Sequence, residues 1–580
     1  VVEHITPVET YALEDGSYVF DMGQNFAGWA KLKVEAPEGT EISMIYSEAA
    51  HEDHTLNRLS IRGARATDKY ICKGKGTEYY EPRFTYHGFR YVQVTGLTKA
   101  PDKDTIIGCF VRSSVEKTGE FSCSNSIINK VQENIQRTEG SNLHGVPTDC
   151  PQRDERLGWL NDMTMRNECA LYNYRLTALY EKWLNDIRDT QGTKTGAITD
   201  TAPFRKFGQR PADPVSGSFI MIPWNLYRHY QDTQVIEDNY EAMKKWAGYL
   251  VDNSRDGIVK YSPMGDWAAP IGDGDADTYG SGALSKVTPT RQMGTGFLYY
   301  DLVLMSRMAE IIGKEEDSKT FSKQAEVIKE AFNREYYHPD KKYYAINSQA
   351  SNVLPLYLGL VPEEDRKAVL ENLVKDIVEK NDTHLTTGNL CTRLAIEVLF
   401  QEGYEDIAYT LLSQTTYPSW GYTIINGATS IWERWEKAEP DSPIAGMASL
   451  NHPMNGSAGI TYFKYLAGIS PEDDKPGFRK VKIKPVIPAG LDQAKAVMNT
   501  IRGQVVSEWD KTEDGLKMTV HIPFNCEGDV WIPVPDEGKT AEIKVNGEPV
   551  SYNSENVTDH KYYRMSVESG KYVVEIKNEI

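Results

Sequence analysis

The chain has 580 residues, of which 40% are hydrophobic and 25% are charged, a composition typical of a folded protein with several domains. Its formal charge of -19 argues against a nucleic-acid partner, because nucleic acids are bound through clustered lysine and arginine side chains. The sequence has no uncharged apolar run long enough to span a membrane.

Residues 1–113 are predicted to form a β-sandwich. Short runs such as Trp29–Val34 and Phe89–Val94 alternate in polarity or are rich in β-branched and aromatic residues. Turn-forming residues such as Pro37-Glu38-Gly39 separate these runs. Regular spacing of this kind is typical of an antiparallel sandwich.

Residues 114–470 have the hydrophobic period of helices. One predicted helix carries apolar residues on a single face: Phe321, Ala325, Ile328 and Phe332. Four further helices are predicted at residues 297–312, 366–379, 393–402 and 405–412. Because long loops join these helices, we expect an α-toroid of helical hairpins whose loops carry function.

Residues 471–580 are predicted to form a second small β-sandwich. Its short strands are expected at residues 481–484, 516–522, 530–534, 542–545 and 572–576. Asn546-Gly547 is the residue pair that favours a two-residue hairpin turn.

Seven cysteines are spread along the chain without a Cys-x-x-Cys pair. This pattern argues against a zinc site or a complete disulfide framework, and we expect most of these thiols to be small buried groups. The chain opens at Val1 without an initiator methionine or a signal-peptide core, so we expect a processed or truncated product. The sequence leaves a cytoplasmic and a secreted or periplasmic location open.

The densest polar cluster lies at residues 146–162. It places six charged residues within 14 positions: Asp149, Arg153, Asp154, Glu155, Arg156 and Asp162. Hydrolysis of a glycosidic bond needs one carboxyl group to protonate the leaving oxygen and another to activate water. The arginines would keep some carboxylates ionised, while an apolar neighbour such as Trp159 would raise the pKa of another. The alternative is an ion-pair network that packs a loop.

A second cluster lies at residues 417–435, where Glu433 stands between Trp432 and Trp435. Apolar surface around this carboxylate is expected, and Arg434 is expected to face elsewhere. His452 follows in the sequence Ser-Leu-Asn-His. It is either a ligand for a sugar hydroxyl or a structural histidine.

Competing catalytic motifs are missing from the sequence. It contains no Gly-x-Ser-x-Gly elbow, no phosphate-binding loop and no His-Glu-x-x-His. The stretch Asp273–Asp277 resembles the opening of a calcium loop but has Thr278 at the sixth position and Leu284 at the twelfth. We therefore expect a solvated or substrate-facing acidic loop there, and predict neither a metal nor a cofactor.

These segments resemble the bacterial α-L-rhamnosidases of glycoside hydrolase family 78, and the resemblance covers nearly the whole chain. The similar segments are Asp21–Val34, Glu81–Gly96, Pro147–Trp159 and Gln414–Trp435, with Gly265–Trp267 and Ser449–His452 as weaker matches. The resemblance implies a multidomain fold, a central all-α (α/α)6 barrel flanked by N- and C-terminal antiparallel β-sandwiches. The domains are accordingly expected at residues 1–113, 114–470 and 471–580.

The resemblance also implies an exo-acting enzyme that removes terminal α-L-rhamnose by metal-independent hydrolysis with inversion. Glu155 matches the general acid and Glu433 the general base, so their carboxyl groups are expected to lie about 6.5–9.5 Å apart. The predicted substrate-binding residues are Asp149, Arg153, Trp159, Asp162, Trp267, Trp432 and His452. The expected partner is a rhamnosyl glycan or glycoside, bound by a monomer or homodimer.

The chain departs from the family at Pro214–Ser218, where members commonly have Trp-Gly-Asp-Ala. A pocket aromatic or acid is therefore missing there or supplied by another loop, which bears on the leaving-group side of the site. Three alternatives stand beside the rhamnosidase: a barrel glycosidase for another sugar, a phosphorylase and a non-catalytic sugar-binding homologue. A phosphorylase needs only the acid, so the presence of both glutamates favours hydrolysis.

Overall fold

The computed structural model describes residues 1–270, 288–437, 447–534, 541–550, 557–558 and 562–578. The acidic stretch Asp273–Asp277 lies outside these described residues.

The N-terminal region consists of ten strands. They are β1 (Glu3–Ile5), β2 (Glu9–Ala12), β3 (Tyr18–Val34), β4 (Glu41–Ser47), β5 (Ala49–Ala50), β6 (Leu56–Asn57), β7 (Thr67–Ile71), β8 (Glu78–Tyr80), β9 (His87–Thr95) and β10 (Ile106–Phe110). Eight of them form one sheet in the order β1-β10-β3-β9-β4-β7, with β2 and β8 also paired to β3. Every pairing in this sheet is antiparallel, as predicted.

The long strand β3 connects the strand pairs of this sheet. It has 17 residues, and its register against β9 shifts between Asp21 and Phe26, so it takes different partners along its length. Ala30, Leu32 and Val34 alternate with less buried residues and face the core. The sheet therefore has its own apolar core, separate from that of the helices.

Twelve α-helices follow within the described residues. They are α1 (Ser126–Ser141), α2 (Leu160–Asn173), α3 (Thr177–Thr190), α4 (Ser218–Tyr230), α5 (Gln234–Asp252), α6 (Thr290–Ile311), α7 (Glu315–Tyr336), α8 (Gln349–Leu358), α9 (Arg366–Lys375), α10 (Asn389–Gln401), α11 (Glu405–Ser413) and α12 (Trp420–Ile425). Two short hairpins lie between helices: β12 (Ser254–Arg255) with β13 (Ile258–Val259), and β14 (Tyr337–His338) with β15 (Tyr343–Tyr344). Short 3-10 or π segments lie at Leu59–Ile61, Glu363–Asp365, Asp376–Lys380, Met454–Gly459 and Tyr462–Leu466.

Alternate helices contact one another in a closed succession. Helix α2 packs on α4, α4 on α6, α6 on α8 and α8 on α10. The segment Met454–Gly459 contacts both α10 and α2 and completes the circuit. The predicted face of Phe321, Ala325, Ile328 and Phe332 is confirmed as the buried face of α7. The predicted catalytic residues lie in loops, Glu155 between α1 and α2 and Glu433 after α12.

The C-terminal region contains two sheets. Its strands are β16 (Ile469–Pro471), β17 (Lys480–Ile483), β18 (Gln493–Thr500), β19 (Gly503–Thr512), β20 (Gly515–Ile522), β21 (Glu527–Pro533), β22 (Ala541–Val545), β23 (Glu548–Val550), β24 (Val557–Thr558), β25 (Tyr562–Val567) and β26 (Gly570–Asn578). One sheet has the order β16-β17-β21-β25-β24, in which β17 and β21 are parallel. The predicted turn at Asn546-Gly547 is confirmed, since both residues have positive φ between β22 and β23.

The other C-terminal sheet takes a strand from ahead of the helices. Its order is β11-β18-β19-β20-β26-β22-β23, where β11 is Gly119–Cys123. The indole of Trp509 in β19 donates to the carbonyl of Leu466 at 2.7 Å, and the helices and C-terminal sheets share one apolar core. The C-terminal sheets are thus built onto the helical region.

All seven cysteines are buried and free, which confirms the expectation of small buried thiols. Among the described residues, no helix combines the length and the apolar character needed to cross a bilayer.

Candidate active site

The loop between α1 and α2 carries the first predicted cluster and is closed on itself. The backbone N–H of Asp149 donates to the carbonyl of Leu157 at 3.0 Å, and the Leu157 N–H donates back to Asp149 Oδ1 at 2.7 Å. The buried guanidinium of Arg166 holds the base of the loop by donating to the carbonyl of Thr148 at 3.0 Å. Glu155 lies inside this closed turn, so its position is fixed by the backbone on both sides.

One guanidinium group, that of Arg153, contacts the carboxylates of both predicted catalytic residues. Its Nη1 donates to Glu433 Oε2 at 2.8 Å, and its Nη2 lies 3.2 Å from Glu433 Oε1. The same Nη2 lies 3.1 Å from Glu155 Oε2 and 3.7 Å from Asp149 Oδ2. Because both oxygens contact the same Nη2 atom, the distance between Glu433 Oε1 and Glu155 Oε2 cannot exceed the sum of the two contacts, 3.2 and 3.1 Å. The structure thus brings four of the predicted site residues together.

The carboxylates in this cluster differ in their pKa values. Burial, and then the nearby charge of Glu155, raises the pKa of Asp149 to about 7. Burial also opposes the ionisation of Glu433, but the charges and hydrogen bonds around it, led by the charge of Arg153, together outweigh burial, and the pKa of Glu433 lies below its ordinary value. Burial raises the pKa of Asp162 well above its ordinary range. At neutral pH Glu433 is therefore ionised, which is the state that a general base requires.

Glu433 is held by a second loop that runs beside its own. The Glu433 N–H donates to the carbonyl of Ser449 at 3.0 Å, and the Ser449 N–H donates to Glu433 Oε2 at 3.1 Å. The N–H of His452 donates to the carbonyl of Ile431 at 2.8 Å. These paired segments carry His452 towards Asp162, whose Oδ2 lies 3.8 Å from His452 Nε2.

His452 is a neutral, buried imidazole. Burial lowers its pKa to about 3, and its Nδ1 has no hydrogen-bond partner among the described residues. Arg153 Nε and Asn161 Nδ2 are likewise buried and unpartnered within that part of the chain. Because buried polar groups are normally hydrogen-bonded, these three atoms are open to a polar ligand.

The predicted tryptophans have different positions. The indole N–H of Trp159 donates to Glu155 Oε1 at 2.9 Å, so this contact is a hydrogen bond and not only the apolar neighbour that was predicted. Trp432 lines a cavity of about 150 Å³ together with Leu450. Trp267 is buried, but no hydrogen bond or ring contact among the described residues joins it to either glutamate.

The Gly-Asp-Trp segment has a structural role. The carboxylate of Asp266 accepts hydrogen bonds from the backbone N–H groups of Gly388, Leu390 and Cys391 at 2.8–3.0 Å. It therefore caps the N-terminus of α10. Arg434 donates to the carbonyl of Ala269 at 2.8 Å, which confirms that it faces away from Glu433.

The chain's departure at Pro214–Ser218 is accompanied by an acid from another helix. A Cβ at Gly217 would lie 3.1 Å from Oδ1 of Asp301 in α6. The Asp301 carboxyl is fully buried without a hydrogen-bond partner in the described residues, and burial raises its pKa well above the ordinary value. Asp301 of α6 thus places an acidic group beside Pro214–Ser218.

The N-terminal sheet region contributes directly to the site. Arg62 Nη1 lies 3.1 Å from Glu155 Oε2, and Arg62 Nη2 lies 2.9 Å from Asp154 Oδ1. The buried Glu48 accepts from the Leu450 N–H and from Asn25 Nδ2, both at 3.0 Å. Ser449, which donates to Glu433, directly precedes Leu450. Glu48 therefore helps to position the loop that contacts Glu433.

Three comparisons with known proteins place this geometry in a family. The family model for the bacterial α-L-rhamnosidase 6 hairpin glycosidase domain matches residues 116–466. This chain belongs to the bacterial α-L-rhamnosidases of glycoside hydrolase family 78. Models for the bacterial α-L-rhamnosidase concanavalin-like domain and C-terminal domain match residues 11–112 and 468–546.

Individual rhamnosidases are similar along most of this family member. It is 36% identical over 522 residues to an α-L-rhamnosidase of Streptomyces avermitilis, covering 89% of this chain and 48% of that protein. It is 32% identical over 561 residues to one of Formosa agariphila, covering 95% and 58%. The chain therefore spans about half the length of the curated relatives it matches.

Solved structures of rhamnosidases agree with the fold. The α-L-rhamnosidase from Dictyoglumus thermophilum has a TM-score of 0.93 and 40% identity, covering 100% of this chain and 63% of that one. The Streptomyces avermitilis enzyme in complex with L-rhamnose has a TM-score of 0.90 and 33% identity, covering 99% and 53%.

One group of side chains in this rhamnosidase-family site has the spacing of metal ligands. Asp149, Cys150 and Glu155 place one ligand atom each within 4.8 Å of one another. However, Arg153 Nη2 lies against two of the three groups, and its charge would repel a metal cation. Burial also raises the pKa of the Cys150 thiol well above its ordinary value, whereas metals bind the thiolate. The donor set therefore does not suit a metal ion.

The sequence did not identify Arg62, Glu48 or Gln152 as site residues. Ser449 Oγ donates to Gln152 Oε1 at 3.2 Å, so Gln152 joins the loop that carries Glu155 to the loop that holds Glu433. Two signals were available: Gln152 lies within the family-like segment Pro147–Trp159, and Asn25, which contacts Glu48, lies within the family-like segment Asp21–Val34. Arg62 and Glu48 belong to no segment that resembled the family.

Glu48 is expected to make stability depend on pH. Burial raises its pKa from 4.5 to about 7, so the native state resists ionisation as the pH rises through this window. The contribution of Glu48 to the free energy of unfolding is fully present below pH 4.5. It is lost as the pH rises through 7, which lowers the free energy of unfolding by about 3 kcal/mol. We expect Glu48→Gln to remove this loss, because glutamine still accepts from Leu450 but cannot ionise.

The measurement for Glu48 is the melting temperature at pH 5 and pH 8. The melting temperature of Glu48→Gln should rise by several degrees relative to the unsubstituted chain between these two pH values. Glu52→Gln, at an exposed glutamate in the turn between β5 and β6, serves as the control and should show no such change. A Glu48→Gln difference that is the same at both pH values would contradict the expectation.

Gly88 allows the N-terminal sheet to approach the catalytic loop. A Cβ at this position in β9 would lie 2.7 Å from Pro151 Cγ, 2.8 Å from Gln152 Cβ and 2.9 Å from Gln152 N. Gly88→Ala is expected to cost about 1–3 kcal/mol of stability. It should also displace the segment that leads to Arg153 and lower kcat/KM about tenfold or more.

The control for Gly88→Ala is Gly248→Ala, a helical position in α5 where a Cβ meets nothing within 4 Å. Kinetics on an aryl rhamnoside and thermal melting measure both effects. Equal behaviour of the two alanine variants would mean that the close approach at Gly88 is unimportant.

Proposed function

We propose that this chain is an exo-acting glycoside hydrolase that removes terminal α-L-rhamnosyl residues with inversion, with Glu155 as general acid and Glu433 as general base. The observation that carries the proposal is the single Arg153 guanidinium bound to both carboxylates. Rhamnose as the sugar is supported by the family and by the relative of known structure in complex with L-rhamnose.

The different surroundings of the two glutamates support their separate roles. Glu433 is buried and kept ionised by Arg153, so it can take a proton from water as that oxygen attacks C1. Glu155 is partly exposed and lies in the wall of an open cavity, which suits a group that protonates the departing glycosidic oxygen. After one turnover Glu155 is ionised and Glu433 protonated, and exchange of one proton restores both.

The remaining predicted residues are proposed to bind the sugar. Asp149, Arg153 and Asp162 offer charged or polar groups to the hydroxyls. His452 offers its unpartnered Nδ1. The aromatic residues Trp159, Trp267 and Trp432 would contact the C–H faces and the C5 methyl group, which is the feature that distinguishes rhamnose from a hexose with a C6 hydroxyl.

We also propose that the closed succession of helices is an (α/α)6 barrel, with domains at residues 1–113, 114–470 and 471–580. The order of helix contacts and the family-model boundaries support this division. Strand β11 crosses it, since residues 119–123 pair with β18 of the C-terminal region.

The stereochemistry is the step that most needs a measurement. Carboxyl separations are about 6.5–9.5 Å in inverting and about 5–5.5 Å in retaining enzymes. The contacts with Arg153 limit the separation of Glu433 Oε1 and Glu155 Oε2 to at most the sum of 3.2 and 3.1 Å, an upper limit that does not select between the two mechanisms.

Hydrolysis of 4-nitrophenyl α-L-rhamnopyranoside, followed by NMR, tests the proposal. We expect β-L-rhamnose as the anomer released first. First release of α-L-rhamnose would assign a retaining mechanism with Glu433 as nucleophile. Release that requires phosphate would assign a phosphorylase, and release from another sugar alone would replace rhamnose. Tight binding of rhamnose without turnover would assign a non-catalytic sugar-binding protein.

A further inference from the structure

A cavity of about 660 Å³ lies on the open side of Glu155, between the N-terminal sheet region and the helical loops. Its wall includes residues 64–68 and 84–87 from the first region and residues 154–157 and 205–206 from the second. Because Glu155 is the proposed acid, the group that occupies this cavity is the one whose oxygen it protonates. The cavity is therefore the place of the leaving group.

Four cationic side chains line this cavity: Arg65, Arg156, Arg205 and Lys206. Three carboxylates also line it, and each already has partners in the protein. Asp154 lies 2.9 Å from Arg62 and 3.2 Å from Lys206, Asp68 contacts His87 and Tyr46, and Glu155 contacts Arg62 and Arg153.

Three of the lining cations are not matched in this way. Within the described residues, Arg65, Arg156 and Arg205 make no salt bridge with a carboxylate, although Arg156 lies over the ring of Tyr86 at 5.1 Å. Three uncompensated arginines at one cavity are notable in a chain with a formal charge of -19. The local charge decides recognition here, because charges more than about 10 Å away are screened at ordinary ionic strength.

An aromatic surface completes the cavity. Phe84 lies in its wall, is fully exposed, and has a φ of 59°, a conformation that a bulky residue rarely adopts. Tyr86 lies two residues further along the same wall. Exposed aromatic faces of this kind suit the C–H face of a sugar ring.

We infer that this cavity is a leaving-group subsite for a sugar that carries a carboxylate, so the substrate is an α-L-rhamnosyl hexuronide. Arg65 and Arg205 bind the carboxylate, and Phe84 packs on the ring of the uronic acid. The inference rests on the proposed function, because it requires that Glu155 protonates the oxygen between the two sugars.

The first experiment compares two disaccharides that differ only in this charge: α-L-rhamnopyranosyl-(1→4)-D-galacturonic acid and its methyl ester. Exposed ion pairs are individually weak, so two together are expected to favour the acid about fivefold in kcat/KM at low ionic strength. Salt at about 0.5 M should reduce this preference by screening. Equal or faster cleavage of the ester, or cleavage of neither disaccharide, would overturn the inference.

Variants assign the preference to the cavity. The double substitution Arg65→Gln with Arg205→Gln should bring the ratio of kcat/KM for acid over ester close to one. Arg255→Gln, an exposed arginine in a hairpin of the helical region, should leave that ratio unchanged. Phe84→Ala should lower kcat/KM for both disaccharides alike, because the contact of Phe84 with the sugar ring does not depend on the charge of the carboxyl group. A double variant that keeps the native ratio would overturn the inference.

The aryl rhamnoside separates this inference from the function on which it rests. Native protein that fails to release 4-nitrophenol from its α-L-rhamnoside would overturn both. Native protein that releases it but shows no preference for the acid would overturn the subsite alone.

Discussion

Replacing Glu155 with glutamine is expected to slow hydrolysis of an alkyl or glycosyl rhamnoside by about 10²- to 10⁴-fold, the usual contribution of a general acid. The same substitution should slow hydrolysis of 4-nitrophenyl α-L-rhamnoside far less, because nitrophenolate departs without being protonated. The fold should tolerate the change. Glutamine keeps an oxygen that accepts from the Trp159 indole, while Arg62 and Arg153 keep Asp154 and Glu433 as partners.

The matched control is Asp154→Asn, since Asp154 is the adjacent carboxylate and shares Arg62 with Glu155. Any loss in this variant should be the same for good and poor leaving groups. Rates for a series of aryl rhamnosides, plotted against the pKa of the leaving phenol, provide the measurement. A Glu155→Gln plot parallel to that of the native chain would show that Glu155 donates no proton to the leaving group.

The two glutamates can be predicted from the sequence because their surroundings are chemically unusual. A segment that mixes Pro151, Gly158 and Trp159 with six charged residues does not fit an ordinary solvated surface. The structure agrees with the grouping and identifies the carboxyl groups with raised pKa values as Asp149 and Asp162, both shifted mainly by burial. Trp159 was predicted to raise the pKa of a carboxyl group as an apolar neighbour. In the structure its indole N–H donates a hydrogen bond to Glu155, and the sequence does not reveal this orientation of the indole.

The contributions of the N-terminal region were not predictable in the same way. Arg62 and Glu48 lie 93 and 402 residues from their partners Glu155 and Leu450, and their local sequence is that of ordinary strands and turns. Only the packing of the first sheet against the helical loops, through close approaches such as that at Gly88, gives these side chains a function.

The elements of the fold likewise divide into those that the local sequence predicts and those that depend on contacts between distant parts of the chain. Helix α7 has one buried face, so its period is visible in the sequence. Helix α2 is buried along all 14 residues and therefore has no polar face to create a period; it was not predicted individually. Strand β11 likewise gives no local sign that its partner is β18, more than 350 residues away.

Replacing Glu433 with glutamine is expected to abolish turnover on every rhamnoside, including the aryl substrate, because activation of water is needed whatever the leaving group. A decrease in kcat of about 10²- to 10⁴-fold is the expected minimum for loss of a general base. Binding of rhamnose should persist, since the proposed hydroxyl ligands Asp149, Asp162 and His452 are untouched. The contrast with Glu155→Gln is therefore in the leaving-group dependence, which only the acid variant should show.

Loss of this charge also removes a partner from the buried Arg153, so folding must be measured beside activity. Breaking a buried ion pair can cost about 3–5 kcal/mol, but Arg153 keeps Glu155 at 3.1 Å, which should limit the loss. Glu436→Gln is the matched control, because this glutamate lies three residues further on and contacts Arg434 and Tyr417. Calorimetric titration with L-rhamnose and its protection against thermal unfolding report on binding and folding together.

The outcome distinguishes a chemical from a structural role for Glu433. An inactive variant that still gains thermal stability from rhamnose has lost only the step in which water is activated. An inactive variant that neither binds rhamnose nor keeps its melting temperature would mean that Glu433 acts mainly as the counter-ion of Arg153. Near-native turnover would remove Glu433 from the mechanism, and Asp149, which lies near Arg153 beside Glu155 and Glu433, would then be the next residue to substitute.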